Sequence, residues 1–285
     1  MPLYACDWQF ITALKDQRDP LSKTQPEKEK HAMPFILFLA TVLLLASPGL
    51  AQDPVKVAPQ AYKLDFENDW VKVLRVHYAA KEKIPEHDHP ATAAAFVYLN
   101  DCDPVIFKHV GLSYGAITRP ATKARGFRVW YAVKETHEVE NTGDTPSDFV
   151  RIEFKTEPVN AKSLRGKFQP EEYAADENFQ KVQFENEQIR ATRLAVAPRK
   201  KLAVSTAANE PALLVALTPA SFRFKKGKAK PSKLLLEVGK TGWIEQGAVV
   251  EFENTGAAPA ELLRFDLRTK PLSADQIKPP EHKHN

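Results

Sequence analysis

Cysteine is nearly absent from this 285-residue chain, and its scarcity limits the chemistry open to the protein. Only Cys6 and Cys102 occur, without a Cys-x-x-Cys pair, which excludes cysteine-based zinc sites and dithiol redox motifs. We expect Cys6 to be removed with the N-terminus, so an internal disulfide is excluded too. The sequence also lacks a glycine-rich phosphate loop, a Gly-x-Ser-x-Gly elbow and an HExxH pair. The corresponding nucleotide-binding, serine-hydrolase and zinc-protease sites are therefore excluded.

A strong charge imbalance is lacking as well. Lys and Arg number 40 against 36 Asp and Glu, and this net charge of +4 is far below that of a nucleic-acid-binding surface. We therefore expect no nucleic-acid partner. The densest basic stretch, Lys225–Lys233, is interpreted as a solvated hairpin loop, with binding of an anionic ligand or envelope polymer as the alternative. Hydrophobic residues make up 43% of the chain, enough to build real cores.

An uncharged apolar run near the N-terminus, Phe35–Ala46, is too short to span a bilayer, which takes about 20 residues. Small residues at Gly49 and Ala51 follow it, as at a signal-peptidase site. We therefore interpret residues 1–51 as an upstream extension and a cleaved signal peptide, with translation starting at Met33. This predicts an exported protein, periplasmic or secreted, with no stable membrane anchor after cleavage.

The rest of the sequence contains two phrases that recur in the same order. Phe66–Val76 resembles Phe184–Leu194, 118 residues later. The phrase Glu-Asn-Thr-Gly at 140–143 recurs at 253–256, 113 residues later, and each copy is followed by a similar apolar strand pattern. Because two separated phrases keep their order, the repeat predicts duplicated domains.

Each half is rich in short runs of β-branched and aromatic residues separated by turn residues, which is typical of a sandwich or barrel. In the first half these runs are Val71–Tyr78, Ala94–Leu99, Arg128–Val133 and Phe149–Phe154. We expect domains at 62–156 and 179–269, joined by a connector at 157–178 with at most one helical turn. A polar tail occupies 270–285.

Three histidines form the candidate functional site. His87 and His89 are two residues apart, so on a strand both imidazoles point to the same face. If the strand carrying His137 lies beside them, three neutral imidazoles converge on one cation, and imidazole suits Fe, Cu, Ni and Zn. The remaining histidines are assigned no special role, although His77 could face the same cavity; they are His31, His77, His109, His282 and His284.

These residues resemble the cupin superfamily. Pro85–His89 is similar to its first motif, which carries two histidines one residue apart, and Thr136–Gly143 is similar to its second, in which a histidine precedes an asparagine by four positions. The resemblance implies an all-β chain of two double-stranded β-helix (jelly-roll) cupin domains. It also implies that His87, His89 and His137 are metal ligands at the mouth of the first barrel.

The sequence departs from the first motif at its glutamate, because Ala93 and Ala94 stand where that residue is expected. This leaves a three-histidine site with positions open to water or substrate. Glu86, Asp88 and Glu138 remain as substitutes, although strand alternation turns them away from the histidines.

The second domain departs further from the pattern. Aligning the repeats places Ser205, Ala207 and Val250 at the positions of the three histidines. We therefore expect a degenerate second barrel that binds no metal.

Three functions are consistent with these features. The first is a metal-dependent, dioxygenase-like oxidoreductase acting on a small organic substrate, with Fe(II) favoured and Mn, Zn, Ni or Cu as alternatives. The second is a non-catalytic bicupin that binds a small molecule. The third is a structural domain whose histidines hold no metal. No catalytic acid or base is assigned, and whether the barrels pair within one chain or across a homodimer is left open.

Overall fold

A computed structural model describes residues 53–159, 163–273 and 276 of the chain. The predicted upstream extension, the signal peptide and most of the polar tail lie outside the described residues. Within these ranges, no helix has the length and apolar character needed to cross a membrane.

In the described residues, the N-terminal half forms one short helix and ten strands. Their bounds are α1 (Pro54–Val57), β1 (Tyr62–Glu67), β2 (Val71–Tyr78), β3 (Lys83–His89), β4 (Ala93–Tyr98), β5 (Val105–His109), β6 (Ala116–Arg119), β7 (Phe127–Trp130), β8 (Glu135–Asn141), β9 (Ser147–Phe154) and β10 (Gly166–Phe168). The four runs predicted for this half correspond to β2, β4, β7 and β9.

The C-terminal half forms nine strands in the described residues. Their bounds are β11 (Phe179–Glu185), β12 (Ile189–Val196), β13 (Lys201–Ser205), β14 (Ala212–Ala216), β15 (Ala220–Lys226), β16 (Ser232–Leu236), β17 (Thr241–Ile244), β18 (Val249–Asn254) and β19 (Ala260–Leu267). β15 and β16 pair as an antiparallel hairpin. The basic stretch therefore surrounds a hairpin turn, as predicted.

Each half builds two sheets around its own interior. In the first half a six-stranded sheet, ordered β1-β2-β9-β4-β7-β10, packs against a four-stranded sheet, ordered β3-β8-β5-β6. The second half repeats this plan with a five-stranded sheet, β11-β12-β19-β14-β17, and a four-stranded sheet, β13-β18-β15-β16. This confirms the predicted all-β architecture of two jelly rolls.

The larger sheet of each half has two buried faces. On β9, Val150, Ile152 and Phe154 pack against residues of the second half such as Phe265, whereas the alternate side chains point into the first barrel. The two barrels therefore associate within one chain through their larger sheets. Burial on both faces is consistent with the burial of every residue of β9 except Asp148.

The repeated asparagines have the same structural role in both halves. The side-chain amide of Asn141 donates to the carbonyl oxygen of Thr145 (2.9 Å), and that of Asn254 donates to Ala258 (2.8 Å). The backbone N–H two residues after each asparagine donates to its side-chain oxygen, at 3.2 and 2.9 Å. The repeat therefore preserves a turn that closes the β8–β9 and β18–β19 connections.

The predicted connector contains a strand, β10, among its described residues. β10 pairs with β7, and the ring of Phe168 stacks on that of Phe127 at a centroid distance of 4.6 Å. The sequence did not predict this strand, because the surrounding residues are polar and a single aromatic side chain, that of Phe168, supplies its packing. The boundary placed at 157 stays a prediction.

Candidate metal centre

The three predicted ligands meet inside the first barrel. β3 and β8 pair antiparallel, and His87 lies directly opposite His137 in this pairing. The exposed fractions of His87, His89 and His137 are 0%, 1% and 2%. One imidazole nitrogen of each lies within 4.8 Å of those of the other two. The sequence prediction that these three side chains come together is thus confirmed.

A bulge in β3 positions the histidine pair. The pairing with β8 shifts by one residue between Ile84 and His87. Pro85 lies in this shift, and proline has no backbone N–H to give to a ladder. The carbonyl oxygen of Pro85 accepts a hydrogen bond from Nδ1 of His87 (2.8 Å). The same residue therefore interrupts the ladder and orients the first imidazole.

Buried nitrogens without partners test whether the site fits a metal ion. Nε2 of His89 and both ring nitrogens of His137 are buried and have no hydrogen-bond partner. Buried polar atoms are normally paired, because leaving one unpaired costs about 1–3 kcal/mol. An ion coordinated by Nε2 of His89 and by one ring nitrogen of His137 satisfies two of these three atoms. A ring nitrogen of His87 lies within 4.8 Å of both, so the residues present fit a metal held by three imidazoles.

Burial also sets the protonation state of the three side chains. It lowers the pKa of His87, and it lowers the pKa values of His89 and His137 well below the ordinary value. The positive charge of Arg151 adds to this effect on all three. The imidazoles are therefore neutral at neutral pH, which is the form that binds metal ions.

A buried network of charged side chains holds the ring of His89 in place. Nδ1 of His89 donates to Oε1 of Glu153 (3.0 Å), and Nε of Arg151 donates to the same oxygen (3.0 Å). Arg151 also pairs with Glu135 (3.1 Å). A carboxylate bonded to Nδ1 fixes the ring so that Nε2 faces the centre, which is a common arrangement at metal sites.

A tyrosine hydroxyl forms a hydrogen bond with the remaining ring nitrogen of His87. The hydroxyl of Tyr62 lies 2.8 Å from Nε2 of His87 and also bonds the hydroxyl of Tyr78. Since Nδ1 of His87 donates to a carbonyl, Nε2 accepts a hydrogen bond from the hydroxyl of Tyr62. Burial raises the pKa of Tyr62 well above its usual value, so this residue stays a neutral donor.

A fourth histidine, to which the sequence assigned no role, borders the centre. His109 is paired with His137 across β5 and β8, and their ring centroids are 5.1 Å apart. His109, Glu135 and His137 form a second group whose potential ligand atoms lie within 4.8 Å of one another. Nothing near His109 in the sequence marks it, because its place depends on the pairing of two distant strands.

The other residues considered from the sequence lie away from the centre. His77 is exposed and bonds Asp148 (2.8 Å), so it does not face the cavity. Asp88 bonds the hydroxyl of Thr136 on the outer side of the strand pair, and Glu138 is exposed. These positions follow the alternation of β3 and β8.

The positions assigned to the lost ligands of the second barrel need correction. Val204 is paired with Val250, just as His87 is paired with His137. Because β13 lacks the bulge of β3, the counterparts of His87 and His89 are Val204 and Thr206, one residue earlier than the predicted Ser205 and Ala207. Val204 and Thr206 are both buried. Val250 was placed correctly, and none of the three counterparts is a histidine.

A cleft that is partly open to solvent lies beside the centre. His137, His109 and Glu135 are among its lining residues. We call the aromatic side chains around it the aromatic wall; they are Phe96, Tyr98, Phe107, Tyr114, Trp130 and Phe149. Apolar walls with a few polar groups are typical of small-molecule sites.

No protein-family model matches the sequence, and no curated protein matches it. Solved structures of cupin-type proteins do match the fold. Oxalate decarboxylase of Lactobacillus farciminis, solved as a formate complex, is 11% identical with a TM-score of 0.50, covering 79% of this chain and 83% of its own. Procruciferin, an 11S globulin of Brassica napus, is 9% identical with a TM-score of 0.50, covering 70% and 76%.

The chain has the cupin fold. A third structure, AerE of Microcystis aeruginosa, is 9% identical with a TM-score of 0.52 and covers 73% of this chain and 97% of its own. At these identities the likeness concerns the fold alone. The chemistry of this chain therefore depends on its own side chains.

Proposed function

We propose that the first barrel of this cupin holds a divalent transition metal on His87, His89 and His137 and uses it on a small organic molecule bound in the adjacent cleft. The observation that supports this most strongly is the grouping of three buried imidazoles, whose potential ligand atoms lie within 4.8 Å of one another, with Nε2 of His89 and both ring nitrogens of His137 unpartnered. The second barrel has apolar or hydroxyl side chains at the equivalent positions. It serves as a packing partner for the first.

The side chains define how such a centre works. Neutral imidazoles add no negative charge, so a bound ion supplies Lewis acidity and open coordination positions. Glu153 fixes the ring of His89, and the aromatic wall holds the apolar part of a substrate and excludes water. His109 lies beside His137 and lines the cleft, and its buried Nδ1 has no hydrogen-bond partner among the described residues.

The activity that we propose is a dioxygenase-like oxidation with Fe(II) as the favoured ion, and Mn, Zn, Ni and Cu as alternatives. Imidazole ligands are compatible with each of these ions. The choice among them is left to direct metal analysis.

One observation favours binding without catalysis as the second candidate. Glu135 is the one carboxylate that lines the cleft in the described part of the chain, and it is already paired with Arg151. The cleft therefore offers no unpaired carboxylate in the described part of the chain. A small-molecule-binding cupin without turnover has the same metal content and the same cleft.

Two measurements distinguish the oxidoreductase from the non-catalytic binding protein. Elemental analysis of the purified chain should give about one transition-metal ion per chain, since three-histidine sites of this kind hold one ion. Oxygen uptake by the protein reconstituted with Fe(II), measured against a panel of small aromatic and aliphatic acids, then tests turnover. Uptake that stops after treatment with a chelator supports the oxidoreductase. Stoichiometric metal with ligand binding but no uptake supports the binding protein, and absence of metal contradicts both.

We further propose that the mature protein is exported, on the basis of the apolar run Phe35–Ala46 and the small residues before position 52. N-terminal sequencing of protein recovered from the periplasm or medium should read from Gln52. Full-length chain recovered only from the cytoplasm would contradict export.

A further inference from the structure

Two arginines line the cleft without a counter-charge. Arg119, at the end of β6, is 4% exposed, and Arg128 on β7 is half-buried. Among the residues that the structure describes, neither guanidinium lies within ion-pair distance of a carboxylate. The two other deeply buried arginines behave differently, since Arg151 pairs with Glu135 and Glu153, and Arg193 pairs with Glu261.

The neighbours of Arg119 are neutral groups. Its Nη2 donates to Sγ of Cys102 (2.9 Å) and to the hydroxyl of Ser147 (3.1 Å). Its Nε is buried and has no hydrogen-bond partner. Buried charges are normally paired, because an unpaired one loses its hydration without compensation. The guanidinium of Arg119 therefore needs an anionic partner, and the described residues supply none.

Arg128 brings a second positive charge to the same cleft. Its guanidinium lies 4.5 Å from the ring centroid of Trp130 and 5.6 Å from that of Phe96. These ring contacts hold the side chain without neutralising it. Arg119 lies 5.3 Å from the ring centroid of Tyr98. Both arginines and this tyrosine of the aromatic wall line the same cleft.

We propose that the cleft binds a small aromatic carboxylate, with its anionic group at Arg119 and Arg128 and its ring against the aromatic wall. This substrate class rests on the proposed function of the metal centre, because His137 lines the same cleft. Guanidinium groups match carboxylates in geometry as well as charge. The aromatic wall suits a flat apolar body, which favours an aromatic over a short aliphatic acid.

Isothermal titration of the mature protein with benzoate, benzamide and acetate tests this assignment. Benzoate should bind best, since benzamide lacks the charge and acetate lacks the ring. Replacing Arg128 by Met should raise the Kd for benzoate about ten- to hundredfold, as expected for loss of a charge-assisted contact. Arg119→Met should have a similar effect, and Arg119→Lys a smaller one. Arg223→Met, which changes an exposed side chain of the second barrel, is the matched control and should leave the Kd for benzoate unchanged.

Several results would overturn the assignment. Equal affinity for benzoate and benzamide would show that charge is not recognised, and an unchanged Kd in Arg128→Met would show that this residue does not take part. A Cys102→Ser variant that binds benzoate about tenfold tighter would show that a thiolate, and not a ligand, balances Arg119. Metal content is measured on every variant. Neither arginine belongs to the three-histidine group, so the two proposals can fail separately. Wild-type protein that binds no metal but still prefers benzoate would contradict the proposed function and support the anion site.

Discussion

Nδ1 of His89 donates a hydrogen bond to Oε1 of Glu153, at 3.0 Å, with both side chains 1% exposed. This contact joins the two sheets of the first barrel, because His89 lies on β3 and Glu153 on β9. It determines which nitrogen of the imidazole faces the centre. The geometry of the candidate metal centre therefore depends on Glu153, whose Oε1 is already bonded to the ring of His89.

Glu153→Gln should weaken metal binding about 10- to 100-fold, since the carboxylate both orients His89 and raises its basicity. Competition with a chelator of known affinity measures the change. The second barrel provides a matched control, because Arg264 and Asp266 form the same pair there. Asp266→Asn should leave metal affinity unaltered, and an equal loss in both variants would show a general effect on folding.

Tyr62→Phe should tighten metal binding a few-fold. The Tyr62 hydroxyl bonds Nε2 of His87, the atom that a metal ion needs, so a bound ion must displace it. In Tyr78→Phe this contact remains, and metal affinity should not rise. The same chelator competition distinguishes the two. Weaker binding in Tyr62→Phe would instead identify the hydroxyl as a support for the bound state.

The sequence predicted the fold well where information is local. Val71–Tyr78 was predicted with the bounds it has in the structure, and the Asn141 and Asn254 turns were marked by identical phrases. His87 and His89 were found because strand alternation places residues two apart on one face. Each of these inferences uses only neighbours along the chain.

The sequence failed where the structure depends on pairing between distant strands. The Pro85 bulge shifts β3 by one residue, so the counterparts of the histidines in β13 were misplaced by one position. His109 joins the centre through the register of β5 against β8, which no local pattern encodes. Arg151 and Glu153 did leave a signal, since they alternate with apolar residues within the run Phe149–Phe154, and such buried charges need partners.

We expect Glu261, at the contact between the barrels, to contribute strongly to the free energy of unfolding. This residue is fully buried and pairs with Arg193 and, across the interface, with Arg125 (2.7 Å). Glu261→Ala leaves Arg193 buried without a carboxylate and should lower the free energy of unfolding by about 3–5 kcal/mol. Urea denaturation of the metal-free protein measures the loss.

The control for that variant is an exposed ion pair in the same half. Glu253 pairs with Arg223 at the surface (3.1 Å), and Glu253→Ala should lower the free energy of unfolding by less than about 1 kcal/mol. If both variants lost the same stability, the buried network would have no special role between the barrels.

Metal content of a His87→Ala/His137→Ala double variant tests the central claim most directly. Elemental analysis should find about one ion per chain in the wild type and none in this variant, because two of three imidazoles are gone. The matched variant Val204→Ala/Val250→Ala alters the equivalent pair in the second barrel and should keep its metal. A folded His87→Ala/His137→Ala protein that retained stoichiometric metal would contradict the account.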